Sequence, residues 1–226
     1  MDEQLAIAAV AKALGHIPEE NFTAWPGGWP DQIGMSLVDA VFSIRAVYKT
    51  RNPAKGVLGR AKSFRDAYPG AANDLECLRN LGERRIREVM GNGKTVGRYK
   101  SECIIEAANN FLSLKHPVRV ATHLQTLNPA HKRAYTNVRG LGEVTYEYFT
   151  MLLGKPGIKA DRMIRGFVDA ALKEQHLAPV EASTARRIVA AVQAADRPDV
   201  ELHKFDHAIW MYQRDLAKTH HLDVAV

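Results

Sequence analysis

Asp161 closes the stretch Gly154-Lys155-Pro156-Gly157-Ile158-Lys159-Ala160-Asp161, immediately ahead of a segment in which Met163, Ile164, Phe167 and Val168 recur at helical spacing. An aspartate there has an ordinary structural use as a helix N-cap. The same helix end favours a fixed negative charge, and a fixed negative charge is what stabilises a cationic transition state. The two uses are compatible. Upstream, Gly140 and Gly142 bracket Leu141 in Val138-Arg139-Gly140-Leu141-Gly142-Glu143-Val144-Thr145. Glycine takes positive φ freely and lets a phosphate approach the backbone. The spacing predicts a tight turn whose Gly140 and Gly142 amides point outward at the start of the next helix, where an anion is favoured. An ordinary helix-helix turn is the bland alternative.

The placement of charge points to the same kind of partner. The chain has 31 basic and 25 acidic residues, a net +6. Arg45, Lys49, Arg51, Lys55, Arg60, Lys62 and Arg65 fall in one stretch without an acidic residue, and residues 128–165 carry a further +4, which leaves −5 on the rest. An acidic body with two basic segments suits a polyanion, since clustered Lys and Arg make phosphate contacts. A solvated helix face accounts for such runs equally well.

The loop and the hairpin together resemble the helix-hairpin-helix DNA glycosylases, the superfamily of endonuclease III, adenine glycosylase and the alkyladenine glycosylases. That hairpin typically reads Leu-Pro-Gly-Val-Gly-x-x-Thr-Ala, and a loop of the form Gly-x-Pro-x-Ile-x-x-Asp delivers the catalytic aspartate. Gly140, Gly142 and Thr145 match the hairpin, and Gly154, Pro156, Ile158 and Asp161 match the loop, without a gap in either. Lys100-Ser101-Glu102-Cys103-Ile104-Ile105 resembles the family's Lys-Ala-x-x-Ile helix, and Ser43-Ile44-Arg45 stands where the family has Ser-x-Gln. The likeness covers residues 35–170. It is specific for the superfamily and silent on the substrate.

The resemblance implies that Asp161 stabilises an oxocarbenium-like sugar and orients or deprotonates the attacking water. It implies duplex DNA as partner, held through Arg139, Gly140, Leu141, Gly142 and Thr145 of the hairpin and through Arg45, Lys49 and Lys55. Extruding a base also requires something to fill the gap and aromatics to stack on the base. Arg45 is the wedge candidate, with a plain phosphate contact as its alternative. Tyr48, Trp25 and Trp29 are the candidate base pocket, with the core as theirs. Bifunctional members carry a lysine two residues after the second hairpin glycine. Val144 stands there, so lyase chemistry is unsupported. Arg139 replaces the usual proline. Cluster-bearing members end in four spaced cysteines. Only Cys77 and Cys103 are present here, so no iron-sulfur cluster is implied, though the family pattern admits a monovalent cation at the hairpin. His203 and His207 have metal-binding spacing but lack a third ligand. Trp210 nearby reads as core, and both cysteines read as small buried apolar side chains.

The elements that must position these groups read as helices. The 226 residues are 46% apolar and 25% charged, which excludes disordered and fibrous classes. Pro and Gly clusters punctuate the chain at helix-length intervals, and no alternating strand pattern is evident. Asn52-Pro53 and Asn128-Pro129 read as helix starts. Leu37, Val41, Ile44 and Tyr48 predict one apolar stripe, and Ile188, Val192 and Ala195 another. The expectation is an all-α protein of nine or ten helices. The resemblance divides it into a helical barrel at 36–153, with the helix-hairpin-helix at 129–153, and a discontinuous domain of 1–35 plus 154–226, with a cleft between them. No apolar run approaches the ~20 residues of a membrane span and no secretory signal opens the chain, so a cytoplasmic, nucleoid-associated monomer is expected. Two functions remain open: a monofunctional DNA glycosylase, in base excision repair or in defence against phage DNA with modified bases, and a catalytically silent helix-hairpin-helix DNA-binding protein.

Overall fold

The computed structural model describes residues 2–23, 27–52 and 54–223, the side chains of 218–223 excepted. The described residues are all-α apart from one small ribbon. In chain order the helices are α1 (Glu3–Leu14), α2 (Ile33–Phe42), α3 (Val57–Ala67), α4 (Pro69–Ala72), α5 (Leu75–Met90), α6 (Lys100–Leu112), α7 (Pro129–Thr136), α8 (Glu143–Leu152), α9 (Arg162–Glu174), α10 (Ala182–Asp196) and α11 (Leu202–Asp223). That is eleven among the described residues, against nine or ten expected. Two 3-10 turns lie at Glu19–Thr23 and Ala121–Leu124.

The chain forms two compact units, one of Gly27–Lys155 and one of Met1–Pro26 with Pro156–Val226. In the middle unit, all ten residues of α2 are buried, with Ser36 and Asp39 the polar ones among them. Gly34 permits this, because a Cβ there would collide with the Ala71 carbonyl of α4. Phe64, Leu75, Leu78, Ile86, Ile104, Phe111, Tyr135 and Phe149 complete the core around α2. Residues 27–35 belong to this unit, since Trp29, Ile33 and Met35 pack into the same core. The terminal unit has its own core, in which Val10 and Leu14 of α1 meet Ile164, Phe167, Val168, Ile188, Val189, Val192, Phe205 and Ile209.

Several local readings change. Helix α2 stops at Ser43, which donates back to the Asp39 and Val41 carbonyls, so Ile44 and Tyr48 leave the stripe begun by Leu37 and Val41. Helix α3 starts at Val57 rather than after Asn52, whose side chain accepts the Ala54 amide in a local turn. Asn128 does cap its helix, accepting from Ala130 and His131. The α10 stripe is Ala185, Ile188, Val189 and Val192, with Ala195 exposed. The ribbon pairs β1 (Lys94–Thr95) with β2 (Arg98–Tyr99). Val96 and Gly97 make its turn with φ +49° and +81°, a conformation that Asn-Gly would have announced and Val-Gly does not.

Candidate functional site

In the terminal unit, Asp161 is the N-cap of α9, in extended backbone. Its Oδ1 accepts the Met163 amide at 2.8 Å and the Ile164 amide at 3.4 Å. Its Oδ2 lies 3.7 Å from Lys159 Nζ, and both side chains are 22% exposed. The cap thus occupies one oxygen and leaves the other beside an ammonium at the surface. The approach is a tight turn in which the Asp161 amide donates to the Lys159 carbonyl at 2.6 Å. Asp206 of α11 holds that turn from inside, accepting the Lys159 amide at 2.8 Å. Burial, and then the negative charge of Asp161, push the Asp206 carboxyl well above the ordinary carboxylate range, against the lowering influence of the Lys159 amide and ammonium. Asp206 escaped the sequence reading, although a lone carboxylate next to Phe205 and within the spacing of Ile209 is a signal for a buried acid.

In the middle unit, α7 and α8 are joined by the glycine turn. Gly140 has φ +101°, and a Cβ there would meet Thr95 of the ribbon at 2.9 Å. Glycine is therefore required at this position twice over. The turn closes with the Leu141 amide on the Val138 carbonyl at 3.0 Å. Gly142 caps α8, and its amide donates to Thr145 Oγ1 at 3.0 Å while that hydroxyl donates to the Gly142 carbonyl at 2.8 Å. Two expectations are corrected here. The Gly142 amide is taken by Thr145 instead of pointing outward, and the Leu141 side chain is buried in the core, so it has no surface to offer DNA. Arg139 is exposed, and its carbonyl accepts the buried Cys103 thiol. The Thr145 amide donates to the Gly142 carbonyl at 3.1 Å, and the positive end of the α8 dipole makes this helix start the anion-facing feature of the turn.

The segment between α2 and α3 carries Arg45, Lys49, Arg51 and Lys55, all exposed and with no acidic residue among them. Arg45, exposed, follows α2 with φ +48°, and Val47 two positions on is 67% exposed. Two buried charged residues pin the base of this loop. Asp39, fully buried, accepts from Ser43 Oγ at 2.9 Å, Tyr48 Oη at 2.9 Å and Trp29 Nε1 at 2.7 Å. Lys100, 4% exposed, donates to the Phe42 and Ile44 carbonyls at 2.9 and 2.6 Å, and burial lowers its pKa. A cavity of about 250 Å³ lies under the loop, lined by Phe42, Val47, Val57, Arg60, Met90 and Lys100 among others. Lys49, Lys55 and Lys62 are exposed. Arg60 is drawn to the Met90 carbonyl and Arg65 to Asp66.

This network corrects the base-pocket reading. Trp29 is 5% exposed and Tyr48 half-buried, and both spend their polar atoms on Asp39. Burial, then the Asp39 charge, raise the Tyr48 pKa. Both side chains build the core that carries the loop. Trp25 lies outside the described residues. Trp210, read as core, is half-buried, stacked on His207 and covered by Arg214. Cys77 is exposed, not buried, because it falls on the outer face of α5, while Cys103 is buried. His203 pairs with Glu201. Among the described residues no group of three or more His, Cys, Asp and Glu could hold a metal ion, and no helix is long and apolar enough to cross a membrane.

Two all-helical units thus carry, in one, a glycine turn and a pinned basic loop, and in the other a capped aspartate with a buried acid behind it. The chain belongs to the family described as Domain of unknown function (DUF8548), which matches residues 7–214 and so takes in both units. No curated protein matches the chain.

Proposed function

We propose that this protein is a monofunctional DNA N-glycosylase that hydrolyses the bond between sugar and base at a damaged or modified nucleotide and leaves an abasic site. The observation that carries the reading is the division of the Asp161 carboxylate: one oxygen fixes the side chain as helix cap, and the other stands beside the Lys159 ammonium on a side chain that is 22% exposed. A carboxylate so fixed costs no reorganisation when positive charge develops on the sugar, which is where electrostatic catalysis gains most. The same oxygen orients the attacking water and accepts its proton. The exposed basic loop and the α8 start supply phosphate contacts. Arg45, raised on a loop anchored by Asp39 and Lys100, is the wedge, and a strained backbone held by surrounding structure is typical of such positions. Repair and defence against phage DNA with modified bases are the two settings in which this activity belongs.

The test is a panel of duplexes carrying different modified or mismatched bases, scored for abasic sites, followed by Asp161→Asn on the responsive duplex. Asparagine keeps the size and the capping oxygen but removes the charge. Excision is expected to fall by a factor of about 10² or more with duplex binding retained. Undiminished excision would falsify the assignment of Asp161, and equal silence of every duplex would favour a DNA-binding protein without catalysis.

A further inference from the structure

We propose that Asp206 is the positioning residue of the Asp161 turn, the inner member of a two-carboxyl site in which Asp206 fixes the backbone and Asp161 meets the substrate. In its catalytic consequence this rests on the glycosylase reading. Its geometry does not. Lys159 is gripped three ways: its amide by Asp206 Oδ1 at 2.8 Å, its carbonyl by the Asp161 amide at 2.6 Å, and its ammonium by Asp161 Oδ2 at 3.7 Å. The Asp206 bond joins positions 47 residues apart, so it is a tertiary link that ties the turn to α11. Asp206 itself is 6% exposed and flanked by the core residues Phe205 and Ala208. It cannot reach a substrate and acts through Asp161.

An asparagine would accept the Lys159 amide equally well, at a lower desolvation cost. What a carboxyl adds is a proton affinity coupled to its neighbour. In a pair of close carboxyls with different surroundings, the proton resides on the one that is more buried. The charges that act on Asp206 are those of Asp161 and Lys159. Arg162 and Arg165 on α9, Glu19 and Glu20 on the 3-10 turn and Asp196 on α10 are further charged groups on elements packed against α11. When protonated, Asp206 spares the outer carboxylate a like charge from behind.

The test uses the full chain and needs no substrate. Carboxyl-carbon NMR titration is expected to place the Asp206 midpoint well above the ordinary value near 3.9, and Asp161→Asn is expected to lower that midpoint by about one unit through loss of a like charge. Asp206→Asn should gain melting temperature relative to the wild type as pH rises from about 4 to 8, because a carboxyl with a raised folded-state pKa drains stability as pH climbs above its unfolded value. Hydrogen exchange at the Lys159 amide should quicken at least about tenfold in Asp206→Leu and stay slow in Asp206→Asn, one tenfold step being about 1.4 kcal/mol. An Asp206 midpoint indifferent to Asp161→Asn, or a Lys159 amide equally protected in Asp206→Leu, overturns the proposal. If Asp206→Leu does not fold, the titration of Asp161→Asn decides alone. On any duplex the wild type processes, Asp206→Asn should move the pH–rate profile while leaving duplex affinity within about twofold. A wild type that excises nothing removes the glycosylase reading, and the two titrations still decide the pairing.

Discussion

Asp39→Ala should unfasten the loop that carries Arg45. The carboxyl is fully buried and receives Trp29 Nε1, Tyr48 Oη and Ser43 Oγ. Truncation strands the indole and phenol donors in the core, each costing about 1–3 kcal/mol. The Ser43 hydroxyl, near the end of α2, can turn to a backbone carbonyl and is discounted. Removing a buried charge returns part of the loss, so about 2–5 kcal/mol is expected, a large share of a typical total stability of about 5–15. At about 2–4 °C per kcal/mol for a unit of this size, the melting transition of the middle unit falls by about 4–20 °C. Calorimetry is the suitable assay, because two units with separate cores need not melt together. Asp39→Asn, with one acceptor oxygen left, should lose about half as much. Amide exchange at residues 44–48 should quicken in both variants. A loss under about 1 kcal/mol, or unchanged exchange in that loop, refutes the idea that Asp39 anchors it.

The basic segment predicts a salt effect: replacing Lys49, Lys55 and Lys62 with glutamine should reduce the slope of log K against log salt by about 0.9 for each phosphate that is no longer neutralised, and an unchanged slope would mark these lysines as a solvated face. With Val144 where a lyase lysine would stand, the product should be an intact abasic site that breaks only after alkali, and borohydride should trap no adduct. Trapping that disappears in Lys159→Ala or Lys155→Ala would reverse the monofunctional reading. Acid stability tests the cap of α5. Burial raises the Asp74 carboxyl, but the Arg119 side chain and the Cys77 and Glu76 amides outweigh it and hold the group below its ordinary value. A depressed carboxyl contributes stability above its unfolded value near 3.9 and loses it as pH falls through the folded one. Asp74→Asn, which keeps the cap, should therefore destabilise at pH 6 in urea titrations, and the gap to the wild type should narrow below pH 4.

What the chain determined by itself were features written in neighbouring residues. Asp161 before the period of Met163, Ile164, Phe167 and Val168 announces a cap, because side chain and amides two and three positions on are brought together by the first helical turn alone. Asn128-Pro129 is legible for the same reason, as is the helical class from the spacing of apolar residues. Gly140 announces a positive φ that other residues avoid. Tertiary structure decided the rest, because burial and long-range pairing depend on which surfaces meet. Trp29 and Tyr48 have the residue types of a stacking pocket, yet a carboxylate on α2 claims both. Leu141 sits at the tip of an exposed turn and still points into the core. The Thr145 hydroxyl claims the Gly142 amide within one turn, a local bond that a reading focused on phosphate passed over. Asp206 reaches the Lys159 amide only because α11 folds against α9. The role of Asp206 is set by a donor delivered from 47 residues away, and no spacing along the chain encodes that pairing.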